Sequence, residues 1–269
     1  MPGISVLMPC WNAGPYLRSS VDSVVSQLSD QDELIVQDAC STDGSAEVLD
    51  AAAAANSGVS VRHEPDGGQS DALNRALRRA RNDLICWVNA DDLLLPGALD
   101  AVRAAISGHG AVPDLVVGAW QMLAPDGQVI RRHPAAALER GRLLVWGCYA
   151  FSGAVLIRRD MLVACGGFTE NLHYVMDFDL MLKLADTAAD QLVIDHSLAA
   201  LRFHTTAKSS TCGTRFLTEA FGVRWRGLRG PREVVRAAAG SALHAVGVAT
   251  LLLRYAPTYS RLRRKATSS

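Results

Sequence analysis

Asp91 and Asp92 come shortly after a five-residue apolar run, Leu84-Ile85-Cys86-Trp87-Val88, with Asn89-Ala90 between. Adjacent carboxylates are hard oxygen ligands, of the type that holds a divalent cation together with a diphosphate. In open α/β sheets ligands gather just beyond the carboxyl ends of the strands, where this pair would lie. The same two acids would equally serve to cap a helix begun at Pro96-Gly97. Two further acids, Asp177 and Asp179, open the apolar helical segment DFDLMLKL. Residues two apart on a helix point about 200° apart, so these two cannot face one site together. Either is also favoured at a helix N-terminus by the dipole alone. Asp38 and His204 each close a strand pattern, a place where an acid commonly serves a turn. Trp146-Gly147-Cys148-Tyr149 and Phe151-Ser152-Gly153-Ala154 set aromatic faces beside small residues, as a sugar-binding cleft or a plain core would.

Strands alternating with helices must position these groups. Ile4–Met8 reads as a first strand closed by Pro9, followed by the turn Cys10–Gly14 and a helix stripe of Leu17, Val21, Val24, Val25 and Leu28. A second strand, Leu34–Gln37, ends in Asp38 and the polar loop 41–45; a helix over 46–56 and the strand Val59–His63 follow. Pro65-Asp66-Gly67-Gly68 turns the chain into a helix with Ser70 as its expected N-cap and Asp71 in its first turn. The run 84–88 suits a strand covered on both faces. Later come a helix over 97–106, the strands Leu115–Val117, Gln128–Arg131 and Val155–Ile157, a turn at Gly166-Gly167, the helix from Asp177, and a strand over Leu198–Phe203. Such alternation implies a mainly parallel, doubly wound sheet.

The segment EPDGGQSDALNRAL followed by WVNADD resembles the family-2 nucleotide-sugar glycosyltransferases, in the subgroup with a GQSDALN-like stretch ahead of its acidic motif. The resemblance implies a GT-A-type, Rossmann-like α/β fold: a mainly parallel sheet flanked by helices, followed here by a C-terminal helical tail. A donor half over 1–118, an acceptor half over 119–215 and the tail over 216–269 are expected, the first two forming one domain. Pro9, Asn12 and Asp38 match positions that border the nucleotide, with Asp38 facing the base; the family's glycine-containing loop reads Asp38-Ala39-Cys40-Ser41 here. Gln69 and Asp71 belong to the matching GQSDALN segment and join the donor-binding set, with Trp146 as a further substrate contact. The family's Asp-x-Asp motif begins with Asn89 in this chain. Asp91 then matches the metal ligand, with help from Asp92, and His204 matches a histidine near the metal or diphosphate; the loop after it, Thr205 to Thr211, can fold over the donor. In the family's Glu-Asp-Tyr-Asp-Leu motif the first Asp is the general base, which maps onto Asp177, with Met176 in place of the preceding acid. The implied cofactor is Mn²⁺ or Mg²⁺, the donor a nucleoside-diphosphate sugar, the acceptor a saccharide or glycolipid, and the reaction an inverting displacement.

Lys plus Arg and Asp plus Glu both total 27, so no global charge points to nucleic acid. No GxGxxG follows the first strand and no GxxxxGK occurs anywhere, which removes the main support for a nicotinamide oxidoreductase or a P-loop enzyme. A sugar nucleotidyltransferase is the alternative enzyme, but it would need a basic Gly-rich loop near the first strand, and Pro9-Cys10-Trp11-Asn12 holds no Lys or Arg. A catalytically silent nucleotide-sugar-binding module is the third reading. Six cysteines without a CxxC pair predict buried, reduced thiols. MPGISVLMP has no basic leader, so a cytoplasmic protein is expected. Ala237 to Leu253 is apolar but short for a spanning helix, and Arg261-Leu262-Arg263-Arg264-Lys265 follows. A packed or interfacial helix is expected there, its basic end suited to the inner face of a membrane.

Overall fold

The computed structural model describes residues 2–204, 208 and 214–247. Nine strands form one sheet: β1 (Ile4–Cys10), β2 (Glu33–Asp38), β3 (Val59–His63), β4 (Leu84–Trp87), β5 (Leu93–Leu94), β6 (Leu115–Leu123), β7 (Val129–His133), β8 (Val155–Arg158) and β9 (Gln191–Arg202). Their order is β3-β2-β1-β4-β8-β6-β9-β5, with β7 paired to β6. β3, β2, β1 and β4 run parallel; β8 is antiparallel to its neighbours, and β6 and β9 are parallel again. Every residue of β1, β2 and β4 is buried. That burial explains why these strands read as continuous apolar runs and not as alternating ones.

Helices cover both faces. Val6 and Met8 of β1 pack on the side of α1 (Leu17–Val25), α2 (Ser45–Ala55) and α4 (Ala98–His109). Leu7, Ile85 and Trp87 face the other core, built with α3 (Gln69–Arg79), α5 (Arg140–Trp146), α6 (Arg159–Ala164) and α7 (Met176–Thr187). In α3 the buried Ala72, Leu73, Ala76 and Leu77 recur at one-face spacing, so the apolar stripe fixes which side meets the sheet. The chain then continues into α8 (Thr214–Trp225) and a helix over 231–247. No described helix is long and apolar enough to cross a membrane.

Several local expectations differ from the structure. Strand β1 runs through Pro9 to Cys10, its parallel partner β2 supplying Gln37 and Asp38 opposite them. The N-cap of α3 is Gly68 at φ 112°, a conformation only glycine adopts at low cost, and Ser70 lies inside the helix. Its hydroxyl meets the Met176 sulfur at 3.2 Å instead. β9 begins at Gln191, seven residues before the apolar run that marks it in sequence, because its first half pairs with β6 while presenting mixed residues to solvent. β5, α5 and α6 are too short to show a periodicity of their own. Cys10 and Cys86 are buried as expected, whereas Cys40 is exposed and Cys148 and Cys165 are half-buried; Cys212 lies outside the described residues.

The helix over 231–247 is seated by its small residues. Ala237 and Gly240 are buried, and a Cβ on Gly240 would stand 2.1 Å from the Leu144 carbonyl oxygen and 2.8 Å from that of Val145. Around Gly247 nothing lies within 4 Å. Gly240→Ala therefore forces the helix off its seat and should cost about 1–3 kcal/mol. Gly247→Ala should be neutral or stabilise by up to about 1 kcal/mol through helix propensity. Thermal melting of the two variants tests this, and equal effects would contradict the seating.

Candidate active site

The acidic motif is positioned by a two-residue strand. β5 pairs antiparallel with β9 through Leu93↔Ala200 and Leu94↔Ala199. Extending that register backward sets Asp91 and Asp92 beside the end of β9. The Arg202 backbone N–H donates to Asp92 Oδ1 at 3.1 Å, and His204 Nε2 lies 3.0 Å from Asp91 Oδ2. The neighbouring acids therefore have opposite settings. Asp91 keeps a third of its side chain exposed beside the buried His204. Asp92 is 4 % exposed, with one oxygen bound to Arg202 and the other accepting from Asn89 Nδ2 at 2.8 Å. Burial, then the Asp91 charge, raise the Asp92 carboxyl well above the usual carboxylate range.

Asn89 explains itself at this point. Its Oδ1 accepts from Trp87 Nε1 at 2.7 Å and from Gln69 Nε2 at 2.8 Å, while its amide N–H serves Asp92. A carboxylate at position 89 could keep the first two bonds but not donate the third. Gln69 Oε1 in turn accepts from Lys208 Nζ at 3.0 Å. A continuous chain of polar contacts thus runs from Lys208 through Gln69 and Asn89 to Asp92. Asp71, in the first turn of α3, is turned inward: it accepts from the Gly67 N–H at 2.9 Å and pairs with Arg75 at 2.9 Å.

The two acids of α7 separate as helix geometry requires. Asp177 is half-buried at the start of the helix and accepts from the Phe178 N–H at 2.7 Å. Burial raises its carboxyl above the ordinary 3.8, with Lys208 and the Cys148 thiol opposing the rise. Asp179 is 5 % exposed and bound to Thr169 Oγ1 (2.6 Å), Lys183 Nζ (2.8 Å) and Arg226 Nη1 (3.3 Å). Met176 is buried against Ser70. Trp146, at the end of α5, is 65 % exposed, whereas Phe151 and its small neighbours Ser152, Gly153 and Ala154 are buried, so that cluster divides between surface and core.

At the ends of β1 and β2 lies a second polar cluster. Asp38 is fully buried; it accepts from Ser41 through both hydroxyl and backbone N–H and lies 2.8 Å from His63 Nδ1. His63 Nε2 reaches Asp50 at 3.1 Å. Burial works against the Asp38 charge, but the His63 and Ser41 hydrogen bonds outweigh it and hold the carboxyl below 3.8. The bond to Asp38 likewise lifts His63 above 6.5, helped by Asp50. Above this cluster the two loops lace together: the Asn12 N–H donates to Ser41 Oγ, Thr42 N–H to Asn12 Oδ1 and Gly14 N–H to Asp43 Oδ2, all at 2.8 Å. Cys40 takes the left-handed backbone (φ 58°), so the turn for which related loops use glycine is kept without one. Pro9 is buried in β1, and Trp11 beside it leaves 70 % of its surface exposed on the rim.

The family model for glycosyl transferase family 2 matches residues 5–169. This chain belongs to that family. Asp177 and His204 lie beyond the matched span. An uncharacterized glycosyltransferase of Rickettsia felis is 24 % identical over 215 residues, 76 % of this chain and 34 % of its own length, so the chain spans about a third of that relative. Among solved structures, Staphylococcus aureus TarS 1–349 in complex with UDP-GlcNAc superposes with a TM-score of 0.69 at 20 % identity, covering 88 % of this chain and 71 % of that one. The mannosyltransferase PcManGT of Pyrobaculum calidifontis, in complex with GDP-Man and Mn²⁺, gives 0.62 at 20 % identity over 99 % and 80 %. Both carry the same α/β architecture, as the GT-A expectation required.

Sequence reading passed over Trp11, Lys208 and Arg202. Arg202 stands two residues before His204; its guanidinium lies 4.8 Å from the Tyr16 ring centre, and its Nη1 is buried without a partner among the described residues. Tyr16 also packs on His204, ring centres 4.5 Å apart. Of the loop expected to fold over the donor, Thr205 to Thr211, only Lys208 is among the described residues.

Two predictions follow from these contacts. Asn89→Asp removes the donor to Asp92 and sets two carboxylates against each other; stability should fall by about 1–3 kcal/mol, measured by denaturant titration. An unchanged midpoint would contradict the bridging role. The Asp38–His63 pair is complete only where both are charged. His63 contributes below its unfolded value of 6.5 and that contribution is lost as pH rises through the raised folded value; Asp38 contributes above 3.8 and is lost as pH falls through the lowered one. His63→Ala should therefore lower Tm most between 3.8 and 6.5 and progressively less in alkali. A pH-independent difference would rule out the ion pair.

Proposed function

We propose that this chain moves a sugar from a nucleoside-diphosphate sugar to a hydroxyl of a saccharide or glycolipid acceptor, with inversion, in the cytoplasm at the inner face of the membrane. Residues 1–118 form the donor half, 119–215 the acceptor half and 216–269 the tail. The observation that carries the reading is the contrast between neighbours: Asp92 and Asp179 are locked into the protein, while Asp91 and Asp177 keep exposed surface beside it. Membership of a glycosyltransferase family leaves the nucleotidyltransferase alternative without support.

Asp91 and His204 offer one carboxylate oxygen and one imidazole nitrogen, a donor pair that suits Mn²⁺ or Mg²⁺ completed by diphosphate and water. Among the described residues no third acid, His or Cys joins them. A bound divalent ion would offset charge on the departing diphosphate. Asp92, held by Asn89 and Arg202, positions Asp91 and does not itself reach the ligand. Pro9, Asn12 and the exposed Trp11 ring border the nucleotide. Asp38, fully buried and fully bonded, supports the base-side loop from beneath. Gln69 and Asn89 set the floor of the site, Asp71 fixes the Gly67 turn, and Trp146 offers a ring face to a sugar.

At the acceptor side, Asp177 takes the proton of the attacking hydroxyl as the bond to the anomeric carbon forms. A carboxyl raised by burial is a stronger base than an exposed one. Attack from the face opposite the leaving diphosphate inverts the centre, and no covalent intermediate is required.

A panel of nucleotide sugars with Mn²⁺, read by thermal shift and then by transfer, is the direct test. Asp91→Asn should abolish metal-dependent donor binding. Asp177→Asn should leave donor affinity intact and lower transfer about 10²–10⁴-fold, and the wild-type acid limb should lie above the ordinary carboxylate value. Asp179→Asn should chiefly lower stability. Donor binding without transfer in the wild type would favour a silent module; loss of transfer in Asp179→Asn with a folded, active Asp177→Asn would mean the base is misplaced.

A further inference from the structure

The helix over 231–247 is built inside out. A surface helix normally buries its apolar face and shows polar residues to water. Here the face against the body carries Ala237, Gly240, Ser241 and His244. Ser241 Oγ accepts from Trp225 Nε1 at 3.2 Å, and His244 Nδ1 lies 3.3 Å from Arg224 Nη2. The outward face carries Val234, Val235, Leu243 and Val246, exposed by 41, 68, 47 and 65 %. The alanines between them are exposed as well. At 100° per residue these positions sweep about half the helix circumference, and from 237 to 247 the outward arc holds no polar side chain.

Such an apolar face requires a cover, and the charge of the chain around it says which. The whole chain balances 27 basic against 27 acidic residues. From Val234 to Ser269 there is no Asp or Glu, while Arg236, Arg254, Arg261, Arg263, Arg264 and Lys265 are all basic. The nearest acid, Glu233, is already spent on Arg140 at 3.0 Å and on the Arg229 N–H at 2.9 Å. Two copies meeting through this face would bring two such uncompensated basic segments together. A negatively charged surface with an apolar interior removes both penalties at once. The sequence past residue 247 continues apolar through Val248-Ala249-Thr250-Leu251-Leu252-Leu253 before the basic run.

We infer that the outward face of residues 234–246 lies in the interface of an anionic lipid bilayer, whose charge complements the basic, acid-free sequence that carries this face. An apolar helix face and a polybasic stretch are the two signals that together give stable peripheral attachment. The attachment is independent of donor chemistry, so its test reads binding and not transfer.

The full chain is floated with vesicles of phosphatidylcholine alone and of phosphatidylcholine with phosphatidylglycerol, at low and high salt. Binding should be at least about tenfold stronger to the anionic vesicles and weaken with salt. Val235→Asp with Val246→Asp, at positions exposed to solvent and away from the candidate site, should abolish most of the binding while leaving Tm unchanged. Absence of binding to anionic vesicles, or binding that the double variant retains in full, overturns the inference. So does a dimer by light scattering that the double variant dissociates, since the cover would then be a second copy.

Discussion

Three side chains from β4, α3 and the acidic motif, Trp87, Gln69 and Asp92, are joined by one amide just past the end of β4. Asn89 receives hydrogen bonds from Trp87 and Gln69 on its oxygen and gives one to Asp92 with its nitrogen. Asp92 is thereby kept satisfied in a dry place, and it grips the backbone of Arg202. That grip brings β9 alongside the acidic motif, where His204 meets Asp91. A buried polar network of this kind is stabilising only when its members are served, and here the Asn89 oxygen and both Asp92 oxygens have stated partners. The departure from an Asp-x-Asp motif is thus a change of chemistry with a local reason: an acid in place of Asn89 would have lost the side-chain donor to Asp92 Oδ2.

How much of this the residues reveal beforehand depends on the range of the interaction. The apolar run 84–88, the α3 stripe and the acids beyond the strand are local patterns, and the sheet, helix and motif placements followed from them. The opposite orientation of Asp177 and Asp179 was legible from helix geometry alone, and Asp179 proved to be tied to Thr169, Lys183 and Arg226. Contacts between distant segments were not legible. Nothing near residue 92 announces Arg202, 110 residues later, as its partner, and nothing near residue 38 announces His63. β5 has two residues and no period; it exists because β9 offers an edge. The Ser70 cap failed for a further reason: Gly68 could adopt a backbone that starts the helix two residues sooner, and tertiary packing gave the serine to Met176.

The loops after β1 and β2 illustrate how one architecture can be reached by different residues. Cys40 holds a left-handed conformation at a cost of about 1–2 kcal/mol relative to glycine. The surrounding bonds over-determine it: Ser41 is fastened to Asp38 and to Asn12, and Asp43 to Gly14. The loop shape is therefore supported from the buried carboxylate upward, not by the freedom of a glycine.

The β5–β9 pairing also constrains how this chain can change over time. Side chains on a strand alternate between faces, so one inserted or deleted residue between Asp92 and Leu93 would turn every following position over. Asp91 would then no longer meet His204, and both halves of the pairing would have to shift together to restore it. Substitution leaves that register intact; a length change does not. The joint between the acidic motif and its partner strand is accordingly free to vary in composition but frozen in length, and descendants of this chain should explore new chemistry there by exchanging residues while indels accumulate elsewhere.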